Sequence, residues 1–389
     1  MKKWLTLVIL MGTTWPAMAA KSLPIEEFEQ LLNKLSGKND ARVAQELAEI
    51  ELTERVSPQR LAKWEKSLPG EKTREVLLRL ADMAAFENPP ALDVMRIVPP
   101  DSDTQERMLS LASDYAKTTM PHLPKFSALL EITHFEDVPT QEQVLASGTT
   151  APGWRMRPLG IPIGRSGARP LHSTGANSAA VTIRDGSLVQ ADAGAGNAKR
   201  SELPLGLTAS SKFGPLLSVV IGDAISNQVT WGYWQRGTGD PMAVVRYSVP
   251  DDRSNYPVEV PMGAKMEEVY PAYHGEIAID PATGSILRVS IVADLMGTYQ
   301  WMQSALLMEF TPIAVGESTY ICPAHAVAFF KGPAAGSTPE AQNGTAIVQT
   351  RLDDLVFSQY QPLGTEAQSG TANKSQSEGG IQGKVPEQK

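Results

Sequence analysis

Cysteine is almost missing from this chain: Cys322 is the single one in 389 residues. No intramolecular disulfide can form, so a hydrophobic core must hold the fold, and a chain of this length can supply one. Histidine is nearly as scarce. The five are His122, His134, His172, His274 and His325, and no two sit at ligand spacing. Cys322-x-x-His325 comes nearest to a metal motif. Residues three apart in an extended strand point to opposite faces, so the pair shares an ion only if a bulge at Pro323 re-aims one of them. No metal and no cofactor are expected. Positive charge is also short: 35 Lys+Arg against 43 Asp+Glu leave a net charge of −8. An acidic surface lacks the cations that release phosphate counterions, which argues against nonspecific nucleic-acid binding.

The motifs of catalysis are equally thin. Gly164-Arg165-Ser166-Gly167 has neither the spacing nor the strand-to-helix setting of a nucleophile elbow. Gly194-Ala195-Gly196 does not continue into a dinucleotide-binding loop, and no P-loop lysine pattern occurs. Asp251-Asp252 and Asp353-Asp354 are adjacent pairs, whose side chains diverge in extended chain. They read as solvated turn residues, since an acid/base pair needs two carboxyls converging across a cleft. No catalytic residue is expected, and the chain reads as non-enzymatic.

What is present starts with a leader. Residues 1–19 combine Lys2 and Lys3, a short apolar run and Ala17-Met18-Ala19, the pattern of a secretory signal peptide. Export is therefore expected, to the periplasm or beyond. The apolar run is well under the roughly 20 residues needed to span a bilayer, and no later stretch reaches that length, so the mature chain should carry no transmembrane segment. Residues 22–118 show helical periodicity, including a long helix over 41–52, Ser57-Pro58 as a cap and first-turn proline, and a strong stripe of Val76, Leu77, Leu80, Met83 and Ala84 with charges opposite. Residues 363–389 are rich in Gly, Ser, Gln, Lys and Glu, a composition that cannot offset its ordering entropy.

Between them, residues 123–362 switch to a period of two. Residues 128–135 form a first strand, and the Gly-, Pro- and Arg-bearing stretch 139–174 a long loop. Asp185-Gly186 closes a hairpin. Residues 212–225 form one helix, with Phe213, Leu217 and Val220 on its apolar face. Val229, Trp231 and Tyr233 alternate on one side of a strand, with Trp234 on the other. The clearest hairpin surrounds Asp280-Pro281-Ala282-Thr283-Gly284. There Ile277, Leu287 and Val289 mark a buried face, and Glu276, Arg288 and Ser290 a wet one. The expectation is an α+β fold: a helical N-terminal region, then a curved, half-barrel-like antiparallel sheet with one packed helix. Cys322, in a strand, should be a buried small hydrophobe.

Several blocks, among them FGPLLSVVIGDA, VTWGYWQ, AVVRYSVP, YHGEIAIDPATGSILRVSIVADL and EFTPIAVGESTYICPAHAVAF, resemble a family of uncharacterised exported proteins of the acidobacterial type. That resemblance implies no activity. The second half is similar, more distantly, to the outer-membrane-lipoprotein carrier superfamily, through its D-P-x-T-G hairpin and the Gly316–Pro323 element. Such a likeness implies a concave sheet holding an acyl chain or apolar peptide. The candidate lining is Phe213, Leu217, Val220, Trp231, Tyr233, Ile277, Leu287 and Val289. The alternative is a structural or interaction component of the cell envelope, with a solid core and a partner protein docked on the helical region.

Overall fold

The computed structural model describes residues 21–68, 70–137, 171–184, 187–190, 213–237, 240–262, 265–295, 302–315, 318–333 and 348–363. Residues 1–20, 138–170 and 364–389, on which the expected leader, most of the expected loop and the tail fall, lie outside them.

The N-terminal unit contains α1 (Ile25–Leu35), α2 (Asp40–Leu47), α3 (Pro58–Ser67) and α4 (Glu71–Met83). Asn39 caps α2 by accepting from the Arg42 N–H, and Ser57 caps α3 ahead of Pro58. The helix expected over 41–52 ends early. Ile50 and Leu52 are buried and Glu51 exposed, a period of two, and β2 (Ile50–Leu52) pairs in parallel with β1 (Lys21–Leu23). Phe28, Leu35, Leu47 and Leu77 fill this unit's core, with Trp64 edge-on to Phe28 at 5.0 Å. On α4 the expected stripe holds for Leu77, Leu80 and Ala84, but Met83 is exposed, and Arg79 and Asp82 on the supposed charged side are buried.

The rest is built on an eleven-stranded antiparallel sheet that does not close into a barrel. Its order runs from one edge to the other as β3 (Val94–Met95), β7 (Gln228–Gln235), β8 (Met242–Val249), β11 (Ala272–Ile279), β12 (Ile286–Asp294), β13 (Gln303–Val315), β14 (Ser318–Pro333), β15 (Val348–Pro362), β4 (Phe126–Glu136), β5 (His172–Arg184) and β6 (Ser187–Gln190). A separate ribbon pairs β9 (Val258–Met262) with β10 (Lys265–Val269). The α+β reading is correct. The 139–174 loop gives way at His172, where β5 begins, and the expected Asp185-Gly186 hairpin appears as Arg184 paired with Ser187.

The hairpin of β11 and β12 closes as its residues require. Gly284 takes φ +74° and donates its N–H to the Asp280 carbonyl at 2.9 Å, while the Asp280 carboxylate accepts from the Ala282 N–H. A side chain at 284 would also strike the backbone of Leu111 on α5 (Ser102–Asp114), because the turn rests on that helix.

Each face of the sheet is covered. On one, α5 and α6 (Phe213–Ser226) enclose the main core, which includes Leu217, Val220, Ile277, Val289, Met308, Cys322 and Leu355. Burial pushes the Cys322 thiol up to about 11, which leaves it protonated and inert. On the other face lie α4 and the turn after it, where Ala85 packs with Phe135, Leu307, Val327 and Leu352, and Leu78 of α4 packs against them. The side of β11 and β12 that reads as wet in the sequence is therefore an interior. Arg288 and Ser290 are buried beneath the helical unit.

Candidate functional site

That second face carries a row of polar side chains, with one contributed by each of seven neighbouring strands. From β7 to β15 they are Tyr233, Arg246, Glu276, Arg288, Glu309, His325 and Asp354. The helical unit adds Arg55, just after β2, and Asp82 on α4. Strand alternation places such residues on a common face, and burial then forces them to pair.

Glu276 is the centre of the first half. Its carboxylate accepts from the Arg55 guanidinium at 3.2 Å, from the Tyr233 hydroxyl at 2.7 Å and from the Arg246 Nε at 3.3 Å, with Arg288 3.6 Å away. Arg55 also donates to the Tyr233 oxygen at 2.8 Å, and Arg288 to the Gln235 side chain at 2.8 Å. The side chains of Arg55, Arg288 and Glu276 are only 7%, 5% and 13% exposed. Burial alone would raise the Glu276 pKa, but Arg55, Tyr233 and Arg288 overcome it and hold the carboxyl below its ordinary value. A cleft of about 310 Å³ opens beside this group, lined by Arg55, Phe86, Asn88, Arg246 and His274 among others.

His325 is the centre of the second half. Its Nδ1 faces Glu309 at 3.1 Å and its Nε2 faces Asp354 at 2.6 Å, with Asp82 3.8 Å from Nε2. Burial opposes a charged imidazole, yet the hydrogen bonds to Asp354 and Glu309 raise its pKa well above 6.5. Burial and the neighbouring Asp354 raise Asp82 well above the carboxylate range.

Asp353 and Asp354 are thus not solvated turn residues. Both lie within β15, both are buried, and alternation sends them to opposite faces. Asp354 meets His325, while Asp353 binds His134 on the α6 face, where Asn177 lies 3.2 Å from His134 Nε2. Asp251 and Asp252, in contrast, are exposed in a short turn, as expected. The hydrogen bond to Asp353 outweighs burial and raises the His134 pKa. Folding then favours the protonated imidazole. Its contribution to stability is complete below about 6.5, the unfolded value, and is lost as pH rises through the higher folded pKa. The wild type should therefore lose more stability than His134→Gln between neutral and alkaline pH, in matched denaturant titrations. Equal losses in the two proteins would contradict this.

Of the residues expected to line a cavity, Leu217, Val220, Ile277 and Val289 do come together on the α6 face, all fully buried. Leu287 is half-buried, and Trp231 packs against the rim of that core. Phe213 opens α6, and its side chain lies outside the described residues. Tyr233 does not join them. Between Trp231 and Tyr233 the register of β7 slips by one, leaving Gly232 as an extra residue, so Tyr233 turns to the opposite face and Arg55. A bulge also occurs near Pro323, between the Glu309–His325 and Phe310–Pro323 pairs. Cys322 stays in the α6-side core while His325 faces α4, so the two share no ion.

Neither half of the row had a local sequence signal, because its members come from nine separate places in the chain. The one trace is on α4, where Leu78 and Asp82 share a helical side at i and i+4. Chemically the row pairs acids with bases. It joins two layers. No protein-family model, no curated protein and no solved structure matches the chain.

Proposed function

We propose that this is a non-enzymatic exported protein that acts by engaging another protein of the cell envelope, with a solid core in place of a ligand cavity. The observation that supports this reading is the packing of the α6 face. Leu217, Val220, Ile277 and Val289 are each 3% exposed or less, within one continuous apolar cluster. A lipid or peptide would have to displace that packing, which interiors resist. Most charges of the other face, Asp82 apart, are engaged with one another. The connector that carries edge strand β3 offers a partner two apolar side chains, Leu92 at 77% and Val98 at 83% exposed, and the Val98 carbonyl accepts from the Trp234 Nε1–H.

The open sheet with a helix on one face, and the half-buried Trp231 at its rim, favour a second reading as a carrier of an acyl chain. Native mass spectrometry of the mature chain purified from its own envelope separates the two. The expected mass is that of polypeptide alone. A photocrosslinker at position 98 should then give a defined protein adduct that is absent with the probe at exposed Lys63. Stoichiometric lipid in an organic extract would overturn the proposal in favour of the carrier.

A further inference from the structure

We infer that Asp82, His325 and Asp354 form a binding site for one divalent first-row transition-metal ion, of which Zn2+ is the type, bridging the helical unit and the sheet. This goes beyond the partner-binding reading and does not depend on it. One ligand atom from each of the three residues lies within 4.8 Å of the other two. They come from α4, β14 and β15, so the cluster exists only in the assembled fold.

The second observation is an unserved group. The Asp82 side chain is 3% exposed, and its Oδ2 is buried with no hydrogen-bond partner among the described residues. Its Oδ1 reaches only to 3.8 Å from His325 Nε2, beyond hydrogen-bonding distance. Buried carboxylates are ordinarily paired or coordinate a metal, and this one has half of its lone pairs facing nothing.

His325 is oriented as a ligand would be. Glu309 faces its Nδ1 at 3.1 Å, so an Nδ1–H donated to that carboxylate holds the ring with Nε2 turned towards Asp82 and Asp354, where a bound ion takes the place of the Nε2 proton shared with Asp354. A carboxylate behind the histidine is the usual support of a metal-binding imidazole. Two carboxylates and one neutral imidazole match the charge of a divalent ion. One nitrogen with two oxygens selects Zn2+ and its neighbours over Mg2+ or Ca2+, which take oxygen alone. Tetrahedral Zn2+ needs ligand atoms about 3.4 Å apart. The distances from Nε2, 2.6 Å to Asp354 and 3.8 Å to Asp82, bracket that value, and all three ligand atoms lie within 4.8 Å of one another.

The full mature chain, stripped with chelator and titrated with ZnCl2 by calorimetry, should bind one equivalent. Asp82→Asn and Asp354→Asn should each weaken binding by about 100-fold or more, while His134→Gln on the opposite face leaves it unchanged. Should an aspartate variant fail to fold, Co2+ bound to the wild type gives an independent reading. Its visible d–d bands should report a four-coordinate nitrogen and oxygen site without thiolate charge transfer. No binding at about 100 µM Zn2+, a Co2+ spectrum indistinguishable from the hydrated ion, or binding that survives both substitutions would overturn the assignment.

Discussion

Replacing Glu276 by alanine is expected to destabilise the protein by about 3–5 kcal/mol, read as a lower urea midpoint at unchanged slope. The size comes from what is left behind. Arg55 and Arg288 remain under the helical unit with their carboxylate gone, and the Tyr233 hydroxyl loses its acceptor. The comparison with Glu276→Leu combined with Arg55→Met is the more informative one. Removing both charges of the Arg55–Glu276 pair leaves one fewer orphaned cation, with Arg288 still bonded to Gln235, so the double variant should recover part of the loss. A double variant as unstable as the single would mean that the row is held by packing and not by charge.

Leu217→Ala should cost about 2–5 kcal/mol, the usual range for truncating a core leucine. Leu217 is 1% exposed and lies among the residues first considered as a cavity lining. Here stability and function give opposite signals. In a solid core the truncation opens a void and lowers the thermal midpoint by several degrees. In a ligand cavity it would enlarge existing space at little cost. A change below about 1 kcal/mol would therefore argue against the proposed function.

These two sites differ in how far the sequence announces them. Turn chemistry is local, so the Asp280–Gly284 hairpin and its strands are readable from a few residues, as is the bulge at Pro323. Leu217 and Val220 are legible as core from helical spacing. Glu276 and Arg288 are not, because alternation distinguishes two faces without saying what covers the second. A charged face looks the same whether water or a helical layer lies above it. The adjacent Asp353 and Asp354 mislead for a related reason: neighbours in a strand serve opposite layers, and each partner is over twenty residues away in sequence. Gly232 shows a third limit. One extra residue, invisible to periodicity, reverses the direction of Tyr233.

The position of β15 carries a consequence for how the chain assembles. It lies between β14, its predecessor in sequence, and β4, more than two hundred residues earlier. Without it the strands of this sheet fall into two separate groups, β4 to β6 on one side and β3, β7, β8 and β11 to β14 on the other, each presenting a row of unpaired backbone groups. During synthesis the two groups cannot be joined until residues 348–362 have appeared, since the strand between them is the last of those described. Closing so long a loop makes acquisition of structure late and slow. A truncation that removes residues 348–362 should therefore cost the whole sheet its continuity, and not only one strand.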